Sequence, residues 1–580
     1  MGFLNSYILQ HRTRATQEFL RPSRDHFAHP LSTNTSLLAH NVVKTDILII
    51  GSGAAALTAA IKAKSSGLSP LIVEKSSLIG GTSSYSGGGL WIPNSGIHPD
   101  ANDSISEALK YMEVTVGNES RAATTARKET FLKEGSDMVK FLQNYYPNKP
   151  GGKDNGRSIE GQVFDLSKLG RWQKKMRMSP RVPNLPFYTF EGPKLFRAKS
   201  SLDGFLTAAR VVRWRFWRNR LLGRAPVTMG MSLVGQLLLM NVKKKVPIWT
   251  NSPMKELIEK DGIVTGAIIE KGGKSIAIEA AQGVILAAGG FAKNEEMRKQ
   301  HQKQEGAVSH SLAAPEDKGD AILAAVKIGT ATELMDEGWW GPTFIDPRTK
   351  RVYWAQFERG LPHAMVVDKS GNRFANEAQS YTAFVNDQFK RNRRISSIPA
   401  FLILDSNHRN QYICAGMMPG ATSQALLDNG LIVKEDTLLG LAQKLGIDDD
   451  ALHATVDRFN TMVAKGVDGD FHRGSSSYDR FFGDPKYSGN PNLGTIEKSP
   501  FYALKIYPGD LGTKGGVLTD EFARALREDG SVIQGLYAVG NSSAAIMGRE
   551  YIGAGSTLGP ALTFAYIAAK HIASVQWRLN

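Results

Sequence analysis

The sequence predicts an α/β protein: a Rossmann-like dinucleotide-binding domain interrupted by an inserted α+β domain. Three observations lead there. The run TDILII (45–50) ends at Gly51 and opens into a small-residue segment, and a second apolar run ends at Glu74. From Gly535 the chain again reads as strand, glycine turn and helix. Between those ends, residues 342–508 change character and mix strand and helix patterns.

Taken in order, residues 1–44 form an N-terminal tail or arm, with Arg12, Arg14, Arg21 and Arg24 set against only Glu18 and Asp25. A disordered tail, a surface arm and a weak organelle-targeting segment compete here, and the lack of a long apolar run argues against a secretory signal. Residues 45–341 make the first part of the dinucleotide domain. TDILII suits a buried parallel strand, 54–64 a small-residue helix and 69–73 a second strand, which together make a βαβ unit. Residues 103–145 carry helical periodicity, while 147–200 are rich in Pro, Gly and basic residues and read as irregular. The run VVRWRFWRNRLLGR (211–224) alternates Arg with Trp, Phe and Leu; it suits a surface helix resting on a membrane, or a solvated basic face with its rings packed inward. An apolar helix is expected at 231–240 and a strand at 247–250. GVILAA (283–288), followed by Gly289 and Gly290, is another buried strand meeting a turn. Residues 342–508 are the inserted domain, and 509–580 return to the first.

A chain of 580 residues exceeds what one compact core holds. Its net charge of +16 suits an anionic membrane surface or an acidic cofactor. Nucleic acid is not expected, because the basic residues are scattered and no zinc-finger spacing or aromatic RNA-binding signature appears. No run is long and apolar enough to span a bilayer. The lone Cys414 rules out an internal disulfide framework and suits a reducing compartment, so an intracellular site, cytoplasmic or organellar, is expected. None of the 12 histidines falls in a metal-ligand spacing, so no metal is expected, and no nucleophile-elbow serine has a His partner.

The strongest motif is Gly51-Ser52-Gly53-Ala54-Ala55-Ala56, a GxGxxG/A pattern directly after a strand and opening a helix. Its first glycine permits the tight turn, its second lets backbone approach a pyrophosphate, and a small third residue allows close helix–strand packing. The helix N-terminus offers N–H groups and a positive dipole end to the phosphates. Glu74, closing the second strand, is placed to accept hydrogen bonds from adenosine ribose hydroxyls. Both NAD and FAD use this fingerprint. The further glycine loops Gly80-Gly81-Thr82-Ser83, Gly87-Gly88-Gly89, Ala288-Gly289 and Gly540-Asn541 fit a long, embedded cofactor better than a small exchanging one, which favours FAD.

Here the chain resembles the flavoproteins that include 3-ketosteroid Δ1-dehydrogenases and soluble fumarate reductases. GGTSSYSGGGLWIP, VILAAGG and GLYAVGNSSAAIMGREYIGAGSTLGPALTF look like that family's cofactor-binding blocks, over about residues 45–575. The resemblance implies an FAD domain from both chain ends, an inserted catalytic domain, and an FAD-contacting set of Gly51, Gly53, Ala54, Ala55, Ala56, Glu74, Lys75, Gly81, Thr82, Ser83, Gly87, Gly88, Gly89, Ala288, Gly289, Gly540, Asn541, Gly555, Leu558, Pro560, Ala561 and Leu562. The helix opening at Gly559-Pro560-Ala561-Leu562 would turn its N-terminus to the flavin pyrimidine ring.

Three tyrosine-bearing segments are closest to the ketosteroid dehydrogenase branch. By that resemblance Tyr551 and the Gly555 N–H hold a C3 carbonyl, Tyr381 as tyrosinate removes a proton from C2, and Tyr145 or Tyr146 assists. Ile552 stands where the family usually has proline, which predicts a less rigid loop. The expected reaction is 1,2-dehydrogenation of a steroid or triterpenoid-like ketone, with an unidentified electron acceptor and contact with a membrane surface. Two rivals remain: a fumarate-reductase-type ene reductase, using cations such as His363, Arg373 and Arg394, and a non-catalytic flavin-binding scaffold.

Overall fold

A computed structural model describes residues 42–97, 104–143, 158–180, 185–188, 191–199, 201–302 and 310–575. Almost all of the expected tail at 1–44, and both Tyr145 and Tyr146, lie outside the described residues.

The first sheet has eight strands. In chain order they are β1 (Val42–Ile50), β2 (Pro70–Val73), β3 (Ile248–Trp249), β4 (Met254–Lys260), β5 (Ile263–Lys271) and β6 (Lys274–Leu286), with two more from the far end of the chain. Helix α1 (Ala54–Ser65) joins β1 to β2, and α2 (Met229–Lys243) precedes β3. β1 lies between β2 and β6, parallel to both, with Ile47 opposite Pro70 on one side and Gly283 on the other. The inner ends of these strands are continuous apolar runs because both faces are covered.

A second, six-stranded sheet is built from β7 (Gly338–Ile345), β8 (Val352–Trp354), β9 (Ala364–Val367), β10 (Ala400–Leu404), β11 (Ile432–Glu435) and β12 (Phe501–Thr513), in the order β8-β7-β12-β10-β9, with β11 also on β12. Helix α3 (Tyr381–Asn392) packs on this sheet. Positions 342 and 508, where the chain's character changes in sequence, fall inside β7 and β12, which pair with each other. The chain then returns to the first sheet through β13 (Arg524–Leu526) and β14 (Val532–Ala538), where Leu536 sits opposite Val284 of β6, and ends in α4 (Leu558–Ser574). α4 packs beside α1 in the core under the sheet, an arrangement that small residues on both helices permit.

The described part of 147–200 is not wholly irregular. It holds the short strands Ser158–Glu160 and Phe164–Asp165, a tight helical run Leu166–Lys175 and the helix Gly192–Phe196. They pair with distant partners, Gly89–Trp91 and Pro226–Val227, which local composition does not reveal.

The inserted sheet carries one dense charge cluster. Arg373 donates through Nε to Glu377 (2.8 Å) and through Nη2 to both Glu377 (2.7 Å) and Asp468 (2.8 Å), and Arg473 pairs with Glu377 at 3.3 Å. All four are buried, so each charge depends on the others. The cluster fixes the segment that leads into α3. Replacing Arg373 with Met should leave Glu377 and Asp468 under-compensated and cost about 3–5 kcal/mol of stability, read from denaturant unfolding. A loss below about 1 kcal/mol would show that the cluster does not hold this segment.

Candidate active site

At the carboxyl end of β1 the glycine turn has the geometry its sequence demands. Gly51 has φ +105°, and a Cβ there would stand 2.4 Å from the Ala287 carbonyl oxygen, so only glycine passes so close to β6. Gly53 precedes α1 without any side-chain cap, which leaves first-turn N–H groups of α1 for an external acceptor; only the Ala54 N–H is taken, by Ser83 Oγ at 3.1 Å. Ala55 and Ala56 are buried in the turn's shadow.

Glu74 ends β2 as a buried carboxylate. Ser52 Oγ donates to it at 2.6 Å and the Ser76 N–H at 2.8 Å, and burial raises its pKa despite those donors. Its neighbour Lys75 is ion-paired with Asp320. The loop after Glu74 folds back onto α1: Ser83 caps it as above, Thr82 Oγ1 accepts the Ala314 N–H at 3.0 Å, and Gly81 starts the tight turn Gly81–Tyr85. Ser542 ties the end of β6 to the C-terminal segment, accepting the Ala288 N–H at 3.0 Å and donating to the Gly289 carbonyl at 2.8 Å. Gly540, Asn541, Pro560 and Ala561 line a narrow cleft at the start of α4 with Arg127 and Trp339. Leu558 and Leu562 are buried in the same helix. This cradle of uncapped N–H groups, a buried carboxylate and glycine turns fits an adenine dinucleotide.

Beyond the cradle, three phenols gather. The rings of Tyr381 and Tyr551 lie 4.6 Å apart, centre to centre. Tyr381 is the first residue of α3, capped by Ser380, and Trp354 meets its ring edge-on at 5.0 Å. Tyr551 is braced by Trp339 at 6.1 Å. A side-chain hydrogen bond joins the two phenols, and the Gly555 N–H is also directed at the Tyr551 oxygen. Burial raises the Tyr551 pKa, with Tyr381 and the Gly555 N–H opposing the rise. Burial first, then the Tyr551 and Tyr478 phenols, push Tyr381 well above the ordinary phenol value.

The loop 551–555 is anchored by its carbonyls. Tyr111 Oη donates to Ile552 O at 3.0 Å, Ser158 Oγ to Ala554 O at 2.7 Å, and the Trp91 N–H to Gly555 O at 3.1 Å. These bonds tie down the loop carbonyls around Ile552, where the family usually has proline. Gly555 has φ +92°, and a Cβ on it would meet the Trp91 nitrogen at 2.4 Å; Gly89, at the end of the Gly87-Gly88-Gly89 loop, packs beside it.

Sequence reasoning missed Tyr478, Trp354, Trp339 and Lys514. Gln356 links Trp354 (2.9 Å) to the Tyr478 hydroxyl (3.5 Å), and burial raises the Tyr478 pKa while Arg359 opposes it. Lys514, buried and lowered to about 8 by desolvation, donates to the Glu550 carbonyl at 3.0 Å beside Tyr551 and lies 5.0 Å from the Trp339 ring. None of the four sits in a local motif; only contacts far along the chain bring them in. Of the cations considered for binding two carboxylates, His363 is engaged by Thr495 O and Tyr487 Oη, Arg373 by its carboxylates, and Arg394 is exposed. Among the described residues no cluster suits a metal ion.

Comparison with known proteins gives concordant results. The FAD binding domain family model matches residues 46–558. The 3-oxosteroid 1-dehydrogenase of Mycolicibacterium smegmatis is 39% identical over 91% of this chain and 97% of its own length. The 4-oxocyclohexanecarboxylate 2-dehydrogenase of Sinomonas cyclohexanicum is 32% identical over 91% and 92%. Among solved structures, the 3-ketosteroid Δ1-dehydrogenase of Sterolibacterium denitrificans, in complex with 1,4-androstadiene-3,17-dione, superposes with a TM-score of 0.85 at 35% identity, covering 92% of this chain and 99% of that one.

Replacing Glu74 with Ala should weaken FAD binding about 10- to 100-fold, the worth of hydrogen bonds to a charged acceptor. Titrating apoprotein with FAD and following flavin fluorescence measures it; unchanged affinity would remove Glu74 from the ribose site.

Proposed function

The chain belongs to the FAD-binding family of flavoenzymes, in its 3-oxosteroid 1-dehydrogenase branch, and we propose that it removes one hydrogen each from C1 and C2 of a 3-ketosteroid or steroid-like (triterpenoid) ketone. The observation that carries this is the contact of Tyr381 with Tyr551, whose oxygen also faces the Gly555 N–H.

The ketone oxygen would replace Tyr381 as the partner of Tyr551 Oη and take up the Gly555 N–H that now faces Tyr551. Tyr551 Oη and the Gly555 N–H donate to it and stabilise the negative charge that grows there as the C2–H bond breaks. Tyr381 Oη, as phenolate, takes the C2 proton, and its position at the first turn of α3 favours that charge. When bound, FAD would supply the two-electron acceptor for the C1 hydrogen as hydride, so that loss of both hydrogens leaves a C1=C2 double bond. A two-electron acceptor restores the resting protein; the assisting role that the resemblance implies for Tyr145 or Tyr146 falls outside the described residues. Glu74 and the Gly51 turn would hold the adenosine and pyrophosphate, and the start of α4 would serve the flavin end. The fumarate-reductase-type reading is the weaker one, since His363 and Arg373 are committed to other partners. A non-catalytic scaffold would have no use for converging buried phenols.

Anaerobic mixing of the yellow holoprotein with 3-ketosteroids should bleach the flavin and bring up a conjugated-enone absorbance, whereas fumarate added to reduced protein should not reoxidise it. The opposite pattern would transfer the assignment to ene reduction. Tyr381→Phe should slow flavin reduction about 10²–10⁴-fold with FAD retained, and Tyr551→Phe about 10²–10³-fold.

The pH dependence follows from the Tyr381 shift. The reacting form is deprotonated and burial raises the pKa, so the reactive fraction grows with pH across the neutral and alkaline range. Flavin reduction followed by stopped flow should rise about tenfold per pH unit with no plateau below about pH 10. A plateau near neutrality would point to another base.

A further inference from the structure

One helical stretch is built inside out. Leu202–Ala208, Ala209–Phe216 and Trp217–Leu221 run on as a single helix, widened by a longer hydrogen-bonding repeat in its middle. It meets the body along a narrow seam at Gly204, Thr207 and Val211, with Gly204 so close to the Arg197 carbonyl that a Cβ would stand 2.5 Å from it. The bulky apolar side chains point the other way. Trp214 is 67% exposed, Trp217 52% and Leu221 85%, with Leu202, Phe205, Leu206, Val212 and Leu222 exposed beside them. An ordinary surface helix turns such residues to the core, and single exposed apolars are unremarkable where a run of eight is not.

Interleaved with them are Arg210, Arg213, Arg218, Arg220 and Arg224, all exposed. Asp203 is the only acidic residue between 202 and 224, and it is paired with Lys194 at 3.0 Å. Arg215 is likewise committed, to Glu191 at 2.8 Å. The five exposed arginines form no ion pair among the described residues, and Arg220 rests 6.0 Å from the Trp217 ring. Aromatic rings, aliphatic side chains and unpaired guanidinium groups on one helix match the interface of an anionic bilayer, where rings and stems enter the headgroup–acyl boundary and guanidinium groups meet lipid phosphates.

The position of the stretch is equally telling. At its base Phe196 meets Phe357 at a tilt (4.5 Å), Phe357 meets Phe482 (5.4 Å), and Phe482 meets Tyr478 (5.1 Å), the phenol that acts on Tyr381. Arg197 fastens the same corner, donating to the Gly483 carbonyl at 2.8 Å. A file of rings therefore leads from the helix to the phenol cluster.

We propose that residues 202–224 are a membrane-docking surface that seats the protein on an anionic lipid bilayer without crossing it, beside the aromatic approach to the site. The docking itself needs nothing from the substrate reading; only the passage of a lipid-dissolved ketone along the ring file rests on it. In agreement, no described helix is long and apolar enough to cross a membrane.

The test is co-flotation of the full, FAD-loaded chain with vesicles of phosphatidylcholine alone or mixed with phosphatidylglycerol. The wild-type protein should float with the mixed vesicles and barely with the neutral ones. The triple variant Trp214→Ser/Trp217→Ser/Leu221→Ser, and separately Arg213→Gln/Arg218→Gln/Arg220→Gln, should each lower the partition coefficient about tenfold or more. Both sets lie on the surface, so flavin absorbance and flavin reduction by a detergent-dispersed ketone should not change. Vesicle binding that is absent, or equal in wild type and variants, would overturn the proposal, the second outcome placing the contact elsewhere on the chain. A dimer that the variants abolish, without vesicle binding, would assign the surface to a second copy and overturn it too. Because flotation does not depend on turnover, its failure is distinct from failure of the ketone reading.

Discussion

Two phenols from distant parts of the chain meet ring to ring at 4.6 Å, and the rest of the architecture exists to make that meeting reproducible. Tyr381 comes from the first turn of a helix on the inserted sheet, Tyr551 from a glycine loop that follows the last strand of the dinucleotide sheet. A misplacement of about 1 Å between such groups forfeits much of what proximity contributes to a reaction. Each side is therefore fixed by polar contacts rather than by loop packing alone. The Arg373–Glu377–Asp468–Arg473 cluster holds the approach to Tyr381, and three donors hold the carbonyls around Tyr551.

The electrostatics of the site pull in two directions. Burial makes the phenol pair costly to ionise, so both phenols are protonated at neutral pH. In the proposed mechanism that suits Tyr551 as a donor and opposes Tyr381 as a base. The conflict eases when a ketone oxygen replaces Tyr381 as the partner of Tyr551, because the proton shared between the phenols is then free to leave. Tyr381 stands at the N-terminal end of its helix, where a negative charge is favoured.

Much of this was legible in the sequence, for reasons that can be located. The first βαβ unit, Glu74 and the strand at 283–288 announce themselves because turn chemistry and apolar runs are local properties, read within a dozen residues. Tyr381 and Tyr551 came into view through the resemblance of their flanking segments, not through any feature of a lone tyrosine. Tyr478, Trp354 and Trp339 escaped, since each acts through a neighbour more than twenty residues away and none lies in a patterned stretch. The short strands between 158 and 165 escaped for the same reason: their partners are remote, and a composition rich in Pro and Gly masks them. The basic aromatic run allowed either an inward or an outward face for its rings; exposure of Trp214 and Trp217 decides for outward.

The central claim is that Tyr381 removes the proton beside a ketone held by Tyr551 and Gly555. It is tested most directly by the exchange of hydrogen at C2, which needs the base but no hydride transfer. A 3-ketosteroid deuterated at C2, incubated anaerobically with enzyme whose flavin is already reduced, should lose its label to water in the presence of wild-type protein and keep it with Tyr381→Phe carrying a full complement of FAD. Equal loss of label with both proteins would contradict the account, whatever the variant's turnover.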